Sequence, residues 1–141
     1  MSFNIKDMID HYGYNDEKAA YLNSFKIVDV LYRKSSELLI IKADNRSILP
    51  YSIYKDILNY FSDMGFRNAR LYIRAEDQSL PISQINLYLD EFRKDVSGFS
   101  ACVPTISEDG FILTYNDQSE YERDLGKAEE LMLFFYDLGY R

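Results

Sequence analysis

Phe25-Lys26-Ile27-Val28-Asp29-Val30-Leu31-Tyr32 and, after a short polar break, Glu37-Leu38-Leu39-Ile40-Ile41-Lys42-Ala43 decide the fold. In the first stretch Lys26, Val28, Val30 and Tyr32 alternate with Ile27, Asp29, Leu31 and Arg33, and β-branched residues are frequent, the pattern of a strand. In the second, Leu38 to Ile41 are apolar without interruption, which predicts a central strand with apolar residues on both faces. Residues 33–36 are polar and few, so the two stretches pair as an antiparallel hairpin. A turn is expected at 44–47. Pro50 then stands where proline suits the first position of a helix, since its missing amide would be unpaired there anyway. Ile53, Ile57, Phe61 and Met64 fall on one helical stripe, and Gly65 ends it. Residues 66–74 return as a strand with Leu71 and Ile73 on one face and Arg70, Tyr72 and Arg74 on the other.

Working back toward the N-terminus, Ile5, Met8 and Ile9 recur at helical spacing and Gly13 offers a left-handed stop. Asn15 can cap a second short helix holding Ala19, Ala20 and Leu22, broken at Asn23-Ser24. Residues 1–78 therefore read α-α-β-β-α-β. Working forward, Pro81 repeats the helix-start device, Ile82, Ile85, Leu89, Phe92 and Val96 supply an apolar face, and Gly98 ends it. Residues 79–98 thus form a connecting helix. Strands at 101–107 and 111–115 flank Glu108-Asp109-Gly110, the strongest short hairpin signal in the chain. Ser119 with Glu122 fits a capping box, and Tyr121, Leu125, Ala128, Leu131, Phe135 and Leu138 predict one long amphipathic helix stopping at Gly139. Residues 99–141 are a second, β-β-α unit. The first unit has a third strand after its helix and the second does not, which predicts a piece of a longer protein, truncated before a closing strand. The fold class is α+β, and because two cores of this size are marginal alone, the connecting helix is expected to pack both together.

Length and composition agree with this. A chain of 141 residues with 47% hydrophobic and 28% charged side chains, three Pro and six Gly can fill a core. Its longest apolar run, at 131–136, is far short of the roughly 20 residues that cross a bilayer, and charge is spread through the first turns. No membrane contact and no export signal are expected. One cysteine, Cys102, excludes an internal disulfide and every multi-Cys zinc pattern, which suits the cytoplasm. Net charge is −7, and it is uneven: residues 1–98 hold 13 basic and 14 acidic side chains, whereas 99–141 hold 3 and 9. Bulk phosphate attraction is thereby ruled out as a means of binding nucleic acid. Only a local patch remains, at 26–74, where nine Lys or Arg face five Asp or Glu.

The residues of catalysis are missing. The sole histidine, His11, sits near a helix end, where the dipole favours it, and no activating partner is visible. Neither D-x-D nor D-x-E, the paired acids of metal-dependent phosphoryl chemistry, occurs. Glu120, Glu122 and Asp124 follow one another two apart on a helix, so successive members do not face each other, and they read as acids complementing its N-terminus. Gly126-Lys127 lacks the earlier glycine of a phosphate loop, and no two glycines stand three apart as a GXXG clamp requires. Cys102 reads as a small apolar strand residue. No catalytic, cofactor-binding or metal residues are expected.

Surface remains. Tyrosine is abundant, 13 of 141, and Tyr72 between Arg70 and Arg74 could dock a partner's side chain or stack a base. Arg70, Tyr72 and Arg74 are the leading candidates for partner binding, with Tyr51 and Tyr54 next.

The run Ser36-Glu37-Leu38-Leu39-Ile40-Ile41-Lys42-Ala43, the turn expected at 44–47, and Ile48-Leu49-Pro50-Tyr51-Ser52-Ile53-Tyr54-Lys55-Asp56-Ile57-Leu58 resemble the N-terminal region (NI and part of NII) of PolC-type bacterial DNA polymerase III alpha subunits. There a hairpin strand runs into an Ile/Leu-Leu-Pro helix start. The preceding helices at 5–11 and 15–22, and the sequel through Phe134-Phe135-Tyr136-Asp137-Leu138-Gly139-Tyr140, follow the same order, so the resemblance covers nearly the whole chain. The second strand of relatives is richer in aromatics, and the closing strand of their second unit has no counterpart here. What the resemblance implies is a first unit similar to domain I of the initiator DnaA, a KH-like docking module, and a second similar to the C-terminal domain of the clamp-loader tau subunit. Neither contributes catalytic residues to the parent polymerase and its 3'-5' exonuclease. The expected function is docking to replisome proteins during DNA replication. The alternative is direct single-stranded nucleic-acid binding on the basic patch.

Overall fold

The computed structural model describes residues 4–95, 103–107 and 110–140. It is mixed α+β, with a three-stranded sheet, a two-stranded sheet and six helices among the described residues. α1 (Ile5–Tyr12) starts where the Asn4 side chain accepts the Lys6 amide and stops at Gly13, left-handed at φ 66°. α2 (Asp16–Ala20) is capped in the same way by Asn15. β1 (Lys26–Arg33) and β2 (Leu38–Ser47) form the hairpin, with a register shift between Ile27 and Asp29 that marks a bulge. α3 (Tyr51–Asp63) carries the chain over to β3 (Asn68–Asp77), which pairs with β2 in parallel. The order β1-β2-β3 leaves β2 in the centre, as its two-faced apolar run requires.

The turn expected at 44–47 is strand instead. Asp44, Asn45 and Ser47 continue the parallel ladder opposite Arg74, Ala75 and Asp77. Asn45 is buried, and its amide is satisfied: Nδ2 donates to the carbonyls of Tyr21 and Ser47, and Oδ1 accepts from the Ser24 hydroxyl. Residue types that usually break a strand are held in this one by bonds to the α2–β1 connection. Pro50 precedes α3 rather than opening it, and the first helical amide, Tyr51, is capped from outside by Gln84 Oε1 at 2.8 Å.

α4 (Ile82–Asp95) buries Ile85, Tyr88, Leu89 and Phe92. Ile82, expected on that face, is exposed, whereas Tyr88 is wholly buried and its hydroxyl is satisfied by the Leu49 carbonyl. β4 (Val103–Ser107) pairs antiparallel with β5 (Gly110–Thr114). Val96, Gly98, Cys102 and the turn residues Glu108 and Asp109 lie outside the described residues.

The long C-terminal helix is two helices, α5 (Gln118–Leu125) and α6 (Ala128–Leu138), parted at Gly126-Lys127. Glycine weakens a helix interior by about 1 kcal/mol, and here the chain breaks where that cost falls. Asp117 caps α5 in place of the expected Ser119, accepting both the Ser119 amide and its hydroxyl through Oδ1. α6 lies against β3 and ends at Gly139, φ 118°. Phe135, Leu138 and Tyr140 share one buried cluster with Met8, Ile41, Ile57, Ile73 and Leu89. Phe134 meets the rings of Tyr88 and Phe92, so α4 touches both the α3 side and the C-terminal helices.

Candidate functional site

Strand alternation sorts the three-stranded sheet into two faces. Leu39, Ile41, Ala43 and Asn45 of β2 and Leu71, Ile73 and Ala75 of β3 are buried on the face that meets the core. The opposite face carries Ile40, Lys42 and Asp44 of β2 beside Arg70, Tyr72 and Arg74 of β3, paired in register as Ile40–Arg70, Lys42–Tyr72 and Asp44–Arg74. Across the hairpin, Leu31 pairs with Ile40 and Asp29 with Lys42. This face is open.

A groove of about 640 Å³ runs across it. Val28 and Leu31 supply exposed apolar surface, buried Ile40 and the half-buried ring of Tyr72 also line it, and Tyr136 and Asp137 of α6 form one wall. The charges are mixed: Arg33, Lys42 and Arg74 face Asp44 and Asp137. Arg74 Nη2 donates to Asp44 Oδ2 at 3.0 Å, an exposed pair of small energetic weight. Lys42 and Arg70 form no ion pair among the described residues.

The predicted residues are thus distributed over neighbouring places. Tyr72 and Arg74 line the groove. Arg70 lines an adjoining hollow of about 380 Å³ with Tyr54, Phe92, Leu133 and Phe134, and Asp137 borders both. Tyr51 lies elsewhere: it is partly buried between α3 and α4, with its ring against Tyr88 and its hydroxyl donating to Glu91 Oε2 at 2.5 Å. Tyr54 also packs on Tyr88, 5.5 Å between centroids. Leu31, Arg33, Ile40, Lys42 and Tyr136 were not singled out as site residues from sequence. The hairpin alternation held the signal for four of them, but their meeting with Tyr72 follows from the parallel register.

Protonation states follow from the contacts. Burial, then the bond to the Glu91 carboxylate, pushes the Tyr51 hydroxyl up to about 12. Burial alone would raise Glu91, but the Tyr51 hydroxyl and the Lys55 ammonium, 3.1 Å away, bring it below the usual glutamate range. Tyr14, donating to Asp56 Oδ2 at 2.5 Å, is raised by burial and by that bond. These groups hold the fold as proton donors and acceptors at neutral pH.

A third hollow, about 690 Å³, opens where α3 and α4 begin beyond the ends of β2 and β3. Of its polar groups, Gln84 caps Tyr51, and Asp77 accepts the Ser79 amide and hydroxyl. His11 is exposed at the end of α1, in edge contact with the Tyr12 and Tyr60 rings. Among the described residues no group of three His, Cys, Asp or Glu could hold a metal ion, and no helix is long and apolar enough to cross a membrane. No protein-family model, curated protein or solved structure matches the chain.

Proposed function

We propose that this chain is a non-catalytic interaction region of a replicative DNA polymerase of the PolC type, docking to other replisome proteins in the cytoplasm through the open face of its three-stranded sheet. The α-α-β-β-α-β order of the first unit supports a KH-like module similar to domain I of DnaA. The observation that carries the docking reading is the groove itself, in which Leu31, Ile40 and Tyr72 lie among charges of both signs. An apolar centre with a polar rim and an aromatic or arginine anchor is how protein interfaces are built. Phosphate binding would call for a uniformly basic lining, and Asp44 and Asp137 work against it.

The test uses individually purified replisome proteins from the same cell, titrated against the chain. One of them binds, and Tyr72→Ala weakens it about tenfold or more. Single-stranded DNA is the second reading, motivated by Tyr72 beside Lys42, Arg70 and Arg74. Binding of an oligothymidylate that falls steeply with salt and requires Tyr72 replaces the protein reading with that one. No binding by any replisome protein removes the proposal.

A further inference from the structure

α6 exposes three large apolar side chains, and its outward arc has a distinct chemistry. At 3.6 residues per turn, Glu129, Met132, Leu133 and Tyr136 fall together on the side away from Phe135 and Leu138. Met132 is 71% exposed, Leu133 57% and Tyr136 52%. Single exposed apolar residues are ordinary on a protein surface, but three adjoining on one helix face make a patch. Glu129 and Glu130 flank it, both exposed and without an ion-pair partner among the described residues. The helix Ala128–Leu138 contains no basic residue. The arc therefore joins an apolar centre to a negative border, with Lys127 at the helix start and Arg70 across the adjoining hollow as nearby cations, within a segment that holds most of the chain's net charge.

We propose that this face of α6 docks a cationic amphipathic helix of a partner protein. Charge complementarity selects the occupant. A partner helix must bring aliphatic anchors to Met132 and Leu133 and place Lys or Arg where Glu129 and Glu130 stand. The long stems of Lys and Arg can cover apolar surface while their heads reach the carboxylates. Met132 adds a flexible, polarisable contact that adapts to different anchors. Helices meeting in this way pack ridge into groove at about 8–10 Å between axes. This surface meets the sheet face at Tyr136, which borders the groove, and at Glu130 and Leu133, which line the hollow beside Arg70.

The experiment uses the whole chain and a synthetic helical peptide with a leucine stripe flanked by lysines, next to a counterpart flanked by glutamates, with affinity measured by fluorescence anisotropy. The lysine peptide binds and the glutamate peptide does not. Leu133→Ser, which leaves the net charge unchanged, weakens binding about tenfold or more, so general attraction to an acidic chain cannot account for the result. Glu129→Lys with Glu130→Lys inverts the preference between the two peptides. Equal binding of both peptides, binding to neither, or an unchanged affinity in Leu133→Ser overturns the proposal. So does loss of peptide binding in Tyr72→Ala with retention in Leu133→Ser, which assigns the peptide to the sheet groove. Self-association of the chain that Leu133→Ser abolishes also overturns it, because a second copy is then the occupant. Circular dichroism of each variant confirms that the helices remain.

Discussion

The Tyr88 hydroxyl donates to the Leu49 carbonyl across 2.5 Å, tying the middle of α4 to the residue pair that launches α3. Tyr88 is wholly buried, its ring in edge contact with Tyr51, Tyr54 and Phe134. Tyr88→Phe leaves the ring in place and the carbonyl without its donor, at a cost of about 1–2 kcal/mol. Tyr88→Ala also opens a cavity and costs about 3–5 kcal/mol. Urea denaturation followed by far-ultraviolet dichroism measures both. Equal stability of Tyr88→Phe and the parent would remove the bond from any account of the fold.

Gly139 ends α6 hard against β3 and Ile48. A Cβ there would stand 2.9 Å from Ala75 Cβ and 3.3 Å from Ile48 Cγ1, at a backbone φ of 118° that side chains rarely adopt. Gly139→Ala combines a clash in the core with backbone strain, and we expect a loss of about 2–4 kcal/mol. The double variant Gly139→Ala with Ala75→Gly should recover part of it, since it removes the nearer atom. Thermal unfolding of the single and double variants distinguishes crowding from strain.

Glu37 closes the β1–β2 turn at φ 51°, the left-handed region. A non-glycine residue there costs about 1 kcal/mol, offset in part by the lower entropy of its unfolded chain. Glu37→Gly is therefore expected to be neutral or stabilising by up to about 1 kcal/mol, whereas Glu37→Val destabilises. Denaturant midpoints of the two variants give the sign.

The link of Tyr51, Glu91 and Lys55 gives stability a dependence on pH at both extremes. Glu91 titrates below its ordinary range in the folded chain, so its contribution is complete above the unfolded carboxyl pKa and fades as pH falls through the lowered value. Tyr51, raised to about 12, works the other way: its contribution is complete below the unfolded tyrosine value of about 10 and fades as pH rises through about 12. Tyr140, raised to about 12 by burial, adds to the alkaline loss. Tyr51→Phe should flatten the stability profile on both sides. Unfolding free energies across pH, with tyrosinate absorbance as a monitor, show whether it does.

Arg74→Ala and Arg70→Ala alter exposed side chains of the sheet face. Loss of the Arg74–Asp44 pair is expected to cost less than about 1 kcal/mol. A docking defect in either variant would then be read as a surface effect, provided the melting transition stays within a few degrees of the parent.

Much of this architecture could be read from residue order because local signals agreed. The Asn4 and Asn15 caps, the Gly13, Gly65 and Gly139 stops and the stripe of Ile53, Ile57 and Phe61 each act within a turn or two. Structure departs from local preference where distant contacts override it. Asn45 stays in a strand because Ser24 and Tyr21 bind its amide from the α2–β1 connection. Tyr88 is buried with its hydroxyl on the distant Leu49 carbonyl, a partner that helical spacing does not reveal, while Ile82 is exposed. Asp124 looked like a helix-terminal acid, yet it is buried and accepts the Tyr115 hydroxyl at 2.7 Å. The site shows the same division. Alternation on β3 separates Tyr72 from Leu71 and Ile73, but only the pairing of β2 with β3 brings Lys42 beside Tyr72, and only the docking of α6 adds Tyr136 and Asp137.

β1 leaves the outer row of its backbone amides and carbonyls unpaired in this sheet, and Val28, Val30, Leu31 and Tyr32 along it are about half exposed. A row of that kind invites foreign strands to add on, the first step of filament growth. The extra residue at Val28 breaks the row's straightness, so an incoming strand in regular register can pair continuously from Asp29 to Arg33 but not past the bulge. The bulge thereby shortens the stretch open to strand addition, while the apolar side chains stay at the surface.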